Sequence, residues 1–136
     1  MNRMLVIVIA AVVFAVAFVL VFVLNAEKSG FESVPPEVFS SRLSEQADVQ
    51  LVDVRTTQEF SEGHLIGAIN VDVKQADFLS EAQSRLDAAR PVFVYCRSGR
   101  RSADAAGQLA KAGYKVVNMS GGILEWSQKG LPTTKE

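Results

Sequence analysis

The chain has one cysteine, Cys96, set in the stretch Val92 to Ser102, VFVYCRSGRRS. A thiol attacks only as its thiolate, and nearby cations or a helix N-terminus lower a cysteine pKa from about 8.5 to between roughly 3.5 and 7.5. Arg97, Arg100 and Arg101 place three cations within five residues of the sulfur. Ser98 and Gly99 complete the segment, and the glycine lets the backbone bend so that successive N–H groups converge on one point. Ser102 is expected to cap a following helix and add the positive end of its dipole. Cys96 is therefore the candidate catalytic residue, and Arg97, Ser98, Gly99, Arg100 and Arg101 are the candidate substrate-binding residues for an anion. The alternative is an inert core thiol at a strand end, a common fate of free cysteine. The arginine spacing around Cys96 favours the nucleophile. A single cysteine excludes an internal disulfide and a multi-thiolate metal site, and neither metal nor cofactor is expected.

The elements that must position this loop follow from the apolar pattern. Gln50 to Val54 (QLVDV), Pro91 to Cys96 (PVFVYC) and Lys115 to Met119 (KVVNM) are compact β-rich runs of the kind covered on both faces. Between them lie helical segments. Pro35 and Pro36 open a helix through about Glu45. Asp77 to Ala89 reads as a second, with Phe78, Leu79, Ala82 and Leu86 inward. Ser102 to Ala112 is a third, with Ala103, Ala106, Leu109 and Ala110 on one face and a stop at Gly113. Alternating strands and helices imply an α/β fold with a mainly parallel sheet, since each parallel return needs a crossover. Ligands in such sheets gather at the carboxyl ends of the strands, where Cys96 falls.

Several further residues have chemistry of their own. Asp53 and Arg55 end a predicted strand, and an ion pair holding neighbouring loops is the favoured reading over ligand contact. His64, the only histidine, could serve as a base, but its turn, GHLIG, is remote from Cys96 in sequence and a structural role is preferred. Gly121 and Gly122 are expected to permit close backbone approach after a strand, and Trp126 to pack.

Composition bounds the rest. Of 136 residues, 49% are hydrophobic and 21% charged, with a mean hydropathy of +0.18. The surplus is local: Met4 to Leu24 is a run of 21 residues without charge, proline or glycine. At 1.5 Å rise per residue it makes a helix of about 31 Å, enough to cross a bilayer. A removable signal peptide is the rival, although its apolar core is usually only 7 to 15 residues and ends at small residues. The division expected is a transmembrane helix or signal anchor over residues 1–26, a polar joint from Asn25 to Gly30, and one domain over residues 27–136. Arg3 and the positive-inside rule put the domain outside the cytoplasm, on the periplasmic side in a bacterium, with the lipid bilayer contacted through residues 4–24. Fourteen Lys and Arg against fifteen Asp and Glu leave a net charge of −1. That balance speaks against a nucleic-acid partner.

Leu51 to Val71 (LVDVRTTQEFSEGHLIGAINV), Val92 to Ser102 and Gly113 to Trp126 (GYKVVNMSGGILEW) together resemble the rhodanese domain, a single-domain sulfurtransferase module. The resemblance spans nearly all of Glu32 to Leu131. It implies a five-stranded parallel sheet between helices and an active cysteine that cycles through a persulfide, first in a six-residue loop that maps onto Cys96 to Arg101. Ile66 departs from the proline common in the family's GHxPGA segment, a difference in a turn. The implied reaction moves sulfane sulfur from thiosulfate or a similar small anionic donor to an external thiol or cyanide, since the chain has no second cysteine to resolve the persulfide. Two rivals stand beside it. Phosphatase or arsenate-type enzymes also use a cysteine in an anion-binding loop, but need arginine six positions on, where Ser102 stands and Arg101 comes one residue early. A noncatalytic, membrane-tethered binding module would use the fold without the sulfur.

Overall fold

The computed structural model describes residues 2–136, with side chains for 2–21 and 30–136. It divides into two compact units, one ending at Gly30 and one spanning Phe31–Glu136. The first is a single helix, α1 (Arg3–Ser29). Its segment Arg3–Val21 is long and apolar enough to cross a bilayer, and the side chains from Met4 to Val21 are exposed. Residues 22–24 of the expected span lie outside the described side chains. The polar joint expected from Asn25 is instead helical and ends at Gly30, in a left-handed turn at φ 69°. Residues 25–29 hold no proline or glycine to stop a helix that Ala, Glu and Lys readily extend.

The second unit is an α/β domain of five strands, all pairs parallel, in the order β1-β5-β4-β2-β3. The strands are β1 (Glu32–Val34), β2 (Gln50–Asp53), β3 (Ile69–Asn70), β4 (Val92–Tyr95) and β5 (Val116–Met119). Between and after them run α2 (Pro36–Glu45), α3 (Thr57–Glu62), α4 (Phe78–Arg85), α5 (Arg100–Lys111) and α6 (Gly122–Gln128). Every residue of the central strand β4 is buried, which is why VFVY reads as a continuous apolar run. The alternation of side chains along it then sorts the core into two layers. Val92, Val94 and Cys96 pack with Phe78 and Ala82 of α4 and with Ala105, Ala106 and Leu109 of α5. Phe93 and Tyr95 face Phe39 of α2 and Trp126 of α6. Alanines at the buried positions of α5 leave little bulk between helix and sheet, so the helix sits close under the strand that leads into Cys96.

Two helices differ from expectation. The second predicted helix ends at Arg85, short of Ala89. Leu86 turns extended and buried, while the Gln50 side chain bonds Asp87 N–H and Asp87 C=O, both at 2.8 Å. That anchor from β2 to the segment after α4 outcompetes another helical turn. The helix after Cys96 starts at Arg100, two residues before Ser102, with Gly99 as its N-cap at φ 101° and no side-chain cap bond. Ser102 lies in its first turn, where its hydroxyl has another use.

Candidate active site

Cys96 follows β4 directly, and its face of the strand points it toward α5. The residue is 1% exposed: its carbon packs in the apolar layer while its sulfur meets polar groups. Gly99 N–H donates to Sγ at 3.0 Å, and the Ser102 hydroxyl donates to it at 3.4 Å. Burial pushes this thiol up, but the Ser102 hydroxyl and the N–H groups of Ser102, Gly99 and Ser98 together hold it below the ordinary thiol range. Each of these donors favours the charged form. Of the two causes anticipated, converging N–H groups and arginine charge, the short-range donors, joined by the Ser102 hydroxyl, are the ones that lower it.

A second layer of contacts keeps the loop in this shape. Ile123 N–H donates to Cys96 C=O at 2.9 Å, and Leu124 N–H donates to Arg97 C=O at 3.1 Å. The first turn of α6 thus occupies the carbonyls of Cys96 and Arg97, while the N–H groups of Ser98, Gly99 and Ser102 face the sulfur. Gly122 makes this approach possible, at φ 61°; a Cβ there would lie 2.2 Å from Arg97 C=O and 2.6 Å from the Cys96 oxygen. Gly122 therefore serves close backbone approach, as its position after β5 implied, whereas Gly121, at φ 76°, faces the Glu125 side chain.

The six loop positions do not share one role. Arg97, Ser98 and Arg100 are exposed and Gly99 half-buried. Among the described residues, Arg97 and Arg100 form no ion pair and no side-chain hydrogen bond. Arg101 is committed elsewhere: its Nη1 and Nη2 bond Oε1 and Oε2 of Glu59 side by side at 2.7 and 2.8 Å. This pairing holds the Glu59 carboxyl down at about 2, with burial opposing it and Thr56 assisting. Sequence reasoning passed over Glu59. Its only sequence signal is the capping box Thr56-x-x-Glu59, which the structure contains.

Asp53 and Arg55 form a buried ion pair. Arg55 Nε lies 3.0 Å from both carboxylate oxygens and Nη2 lies 2.6 Å from one. Nη2 also donates to Gly63 C=O at 2.7 Å, tying the end of β2 to the turn after α3. The guanidinium sits over the Tyr95 ring, 5.8 Å from its centroid. His64 is likewise occupied: its ring nitrogens lie 2.8 Å from the carbonyl oxygens of Phe60 and Glu136, and it stacks on Phe60. Trp126 packs edge-on to Phe39 and donates Nε1–H to Pro132 C=O at 3.0 Å. Beside the loop, Arg97 borders a cleft of about 360 Å³ that also takes in Arg55, Glu59, Glu62 and Leu124.

A model of the rhodanese-like domain matches residues 36–129. A sulfurtransferase of Allochromatium vinosum is 37% identical over 100 residues, 73% of this chain and 91% of the relative. A chloroplastic thiosulfate sulfurtransferase of Arabidopsis thaliana is 40% identical over 92 residues, 60% of this chain and 77% of the relative. Among solved structures, a rhodanese-related protein of Thermoplasma volcanium superposes with a TM-score of 0.68 at 26% identity, over 78% of this chain and 100% of that one.

Proposed function

The chain belongs to the rhodanese-like domain family, and from that premise we propose that it is a sulfurtransferase in which Cys96 is the nucleophile and the peptide N–H groups of its loop hold the transferred sulfur. The observation that carries this reading is the Cys96 sulfur itself, met by Gly99 N–H at 3.0 Å and the Ser102 hydroxyl at 3.4 Å. The donor is thiosulfate or a similar small anion. The Cys96 thiolate attacks the outer sulfur, a new S–S bond forms, and the bond to the sulfonate sulfur breaks with its electron pair leaving as sulfite. Approach of a dianion to a thiolate is repulsive, and the exposed Arg97 and Arg100 with the loop N–H groups offset that charge where it develops. An external thiolate or cyanide then attacks the outer sulfur of the persulfide, and Cys96 departs as thiolate.

Two features favour sulfur over phosphate as the transferred centre. The cysteine is 1% exposed, so it suits a donor whose electrophilic atom is terminal and unhindered. Ser102 stands where a phosphatase loop needs arginine, and its hydroxyl contacts the sulfur. The cleft beside Arg97, with groups of both charge signs, is the approach for the acceptor. Residues 1–26, with lipid contacted through residues 4–24, form a single-pass anchor for the domain of residues 27–136, which lies on the extracytoplasmic side. The test is intact mass: the purified full chain in detergent gains one sulfur atom on incubation with thiosulfate, and Cys96→Ser does not. An unmodified wild-type mass would overturn the donor assignment.

A further inference from the structure

Arg101 ends the six-residue loop, and a guanidinium at a loop mouth is the side chain best matched to a tetrahedral oxyanion, because it can present two parallel N–H donors. Here both of its terminal nitrogens are used. They meet the two oxygens of Glu59 at 2.7 and 2.8 Å, the end-to-end match that a phosphate or sulfate would otherwise receive. Glu59 is itself fixed. Its N–H donates to the Thr56 hydroxyl at 3.2 Å, while Thr56 Oγ1–H and N–H donate to Oε1 at 3.0 and 3.3 Å. The carboxylate is thus built into the first turn of α3, and Arg101 is held to it across 42 positions of sequence. The guanidinium stays within electrostatic reach of the reaction centre, since the Cys96 charge acts on it, though less than Glu59 does.

We infer that Glu59 is a specificity-determining, positioning residue: it withholds the Arg101 guanidinium from the mouth of the Cys96 loop, so that the loop admits a terminal sulfur atom without becoming a tight oxyanion trap. The inference deepens the sulfur-transfer reading and rests on it for the identity of the favoured donor. Removing the carboxylate frees two N–H donors beside a site that already has Arg97 and Arg100, with the neighbouring Ser102 hydroxyl fixed on the sulfur. Loss of a purely structural ion pair would loosen the loop and weaken any anion. Loss of a withholding pair strengthens it.

Inorganic phosphate titrated calorimetrically into the full chain in detergent distinguishes the two. Glu59→Gln is expected to bind phosphate about tenfold more tightly than wild type, the worth of a freed charge-assisted pair, and Glu59→Gln with Arg101→Met to fall back to the wild-type value. Unchanged or weaker binding in Glu59→Gln overturns the inference, as does tighter binding that survives removal of the guanidinium. If Glu59→Gln does not fold, Arg101→Met alone decides: phosphate affinity within about twofold of wild type supports withholding, and a tenfold loss shows that Arg101 already binds the anion. The titration reads binding without turnover. A wild type that takes no sulfur from thiosulfate would therefore overturn the donor assignment while leaving this result legible, and the reverse failure would leave persulfide chemistry standing.

Discussion

Two adjacent strands, β2 and β4, end side by side at the carboxyl edge of the sheet, and their loops have opposite characters. After β2, Asp53 and Arg55 satisfy one another and Gly63, and Asp53 is fully buried. After β4, peptide N–H groups and the Ser102 hydroxyl face the Cys96 sulfur, and the carbonyls of Cys96 and Arg97 are taken by α6. Topology delivers both loops to the place where parallel sheets bind ligands. What separates scaffold from site is whether the polar groups are spent on each other. The same distinction recurs within the loop, where Arg97 and Arg100 are uncommitted and Arg101 is engaged by Glu59.

The contrast can be broken from either side. The largest effect on stability is expected at the closed loop: Asp53→Asn leaves the Arg55 guanidinium, 6% exposed, without its counter-charge and should cost about 3–5 kcal/mol in denaturant unfolding. Gly122→Ala comes next, because its Cβ would meet the backbone of Cys96 and Arg97 rather than a movable side chain. A destabilisation of about 2–3 kcal/mol is expected, with persulfide loading lost in whatever fraction folds. Gly122→Ala with normal loading would show that the clamp by α6 is dispensable. The smallest effect lies at the sulfur: Ser102→Ala removes one hydroxyl donor that favours the thiolate and should raise the thiol midpoint while leaving the fold intact. An unmoved midpoint would assign the low pKa to the peptide N–H groups alone.

The sequence marks β4 and its loop clearly because a fully buried strand must be apolar at every position and because an arginine-flanked cysteine is chemically unusual. It marks β1 and β3 poorly. Three and two residues long, they are too short for any periodicity, and the parallel pairing that defines them is non-local. Within the site, Gly99 and the positive surroundings of Cys96 were legible. The Glu59 to Arg101 pair was not: a capping box predicts that a glutamate folds back on its own helix, and nothing local says that it also reaches a residue 42 positions away. Ser102 was misassigned as a cap for a related reason. Serine near a helix start usually serves the backbone, but here the left-handed Gly99 starts the helix earlier and turns the hydroxyl to sulfur.

Direct titration of the Cys96 thiol by its ultraviolet thiolate absorbance, in the full chain with Cys96→Ser as blank, tests whether the loop holds that sulfur ionised. A group stabilised as its anion in the folded state loses that stabilisation only as pH falls through the lowered pKa. A midpoint below about 8.5, the value of a free cysteine, is the result predicted. A midpoint at or above it would mean that burial outweighs the surrounding donors, and the sulfur would then be a packed core atom and not a nucleophile.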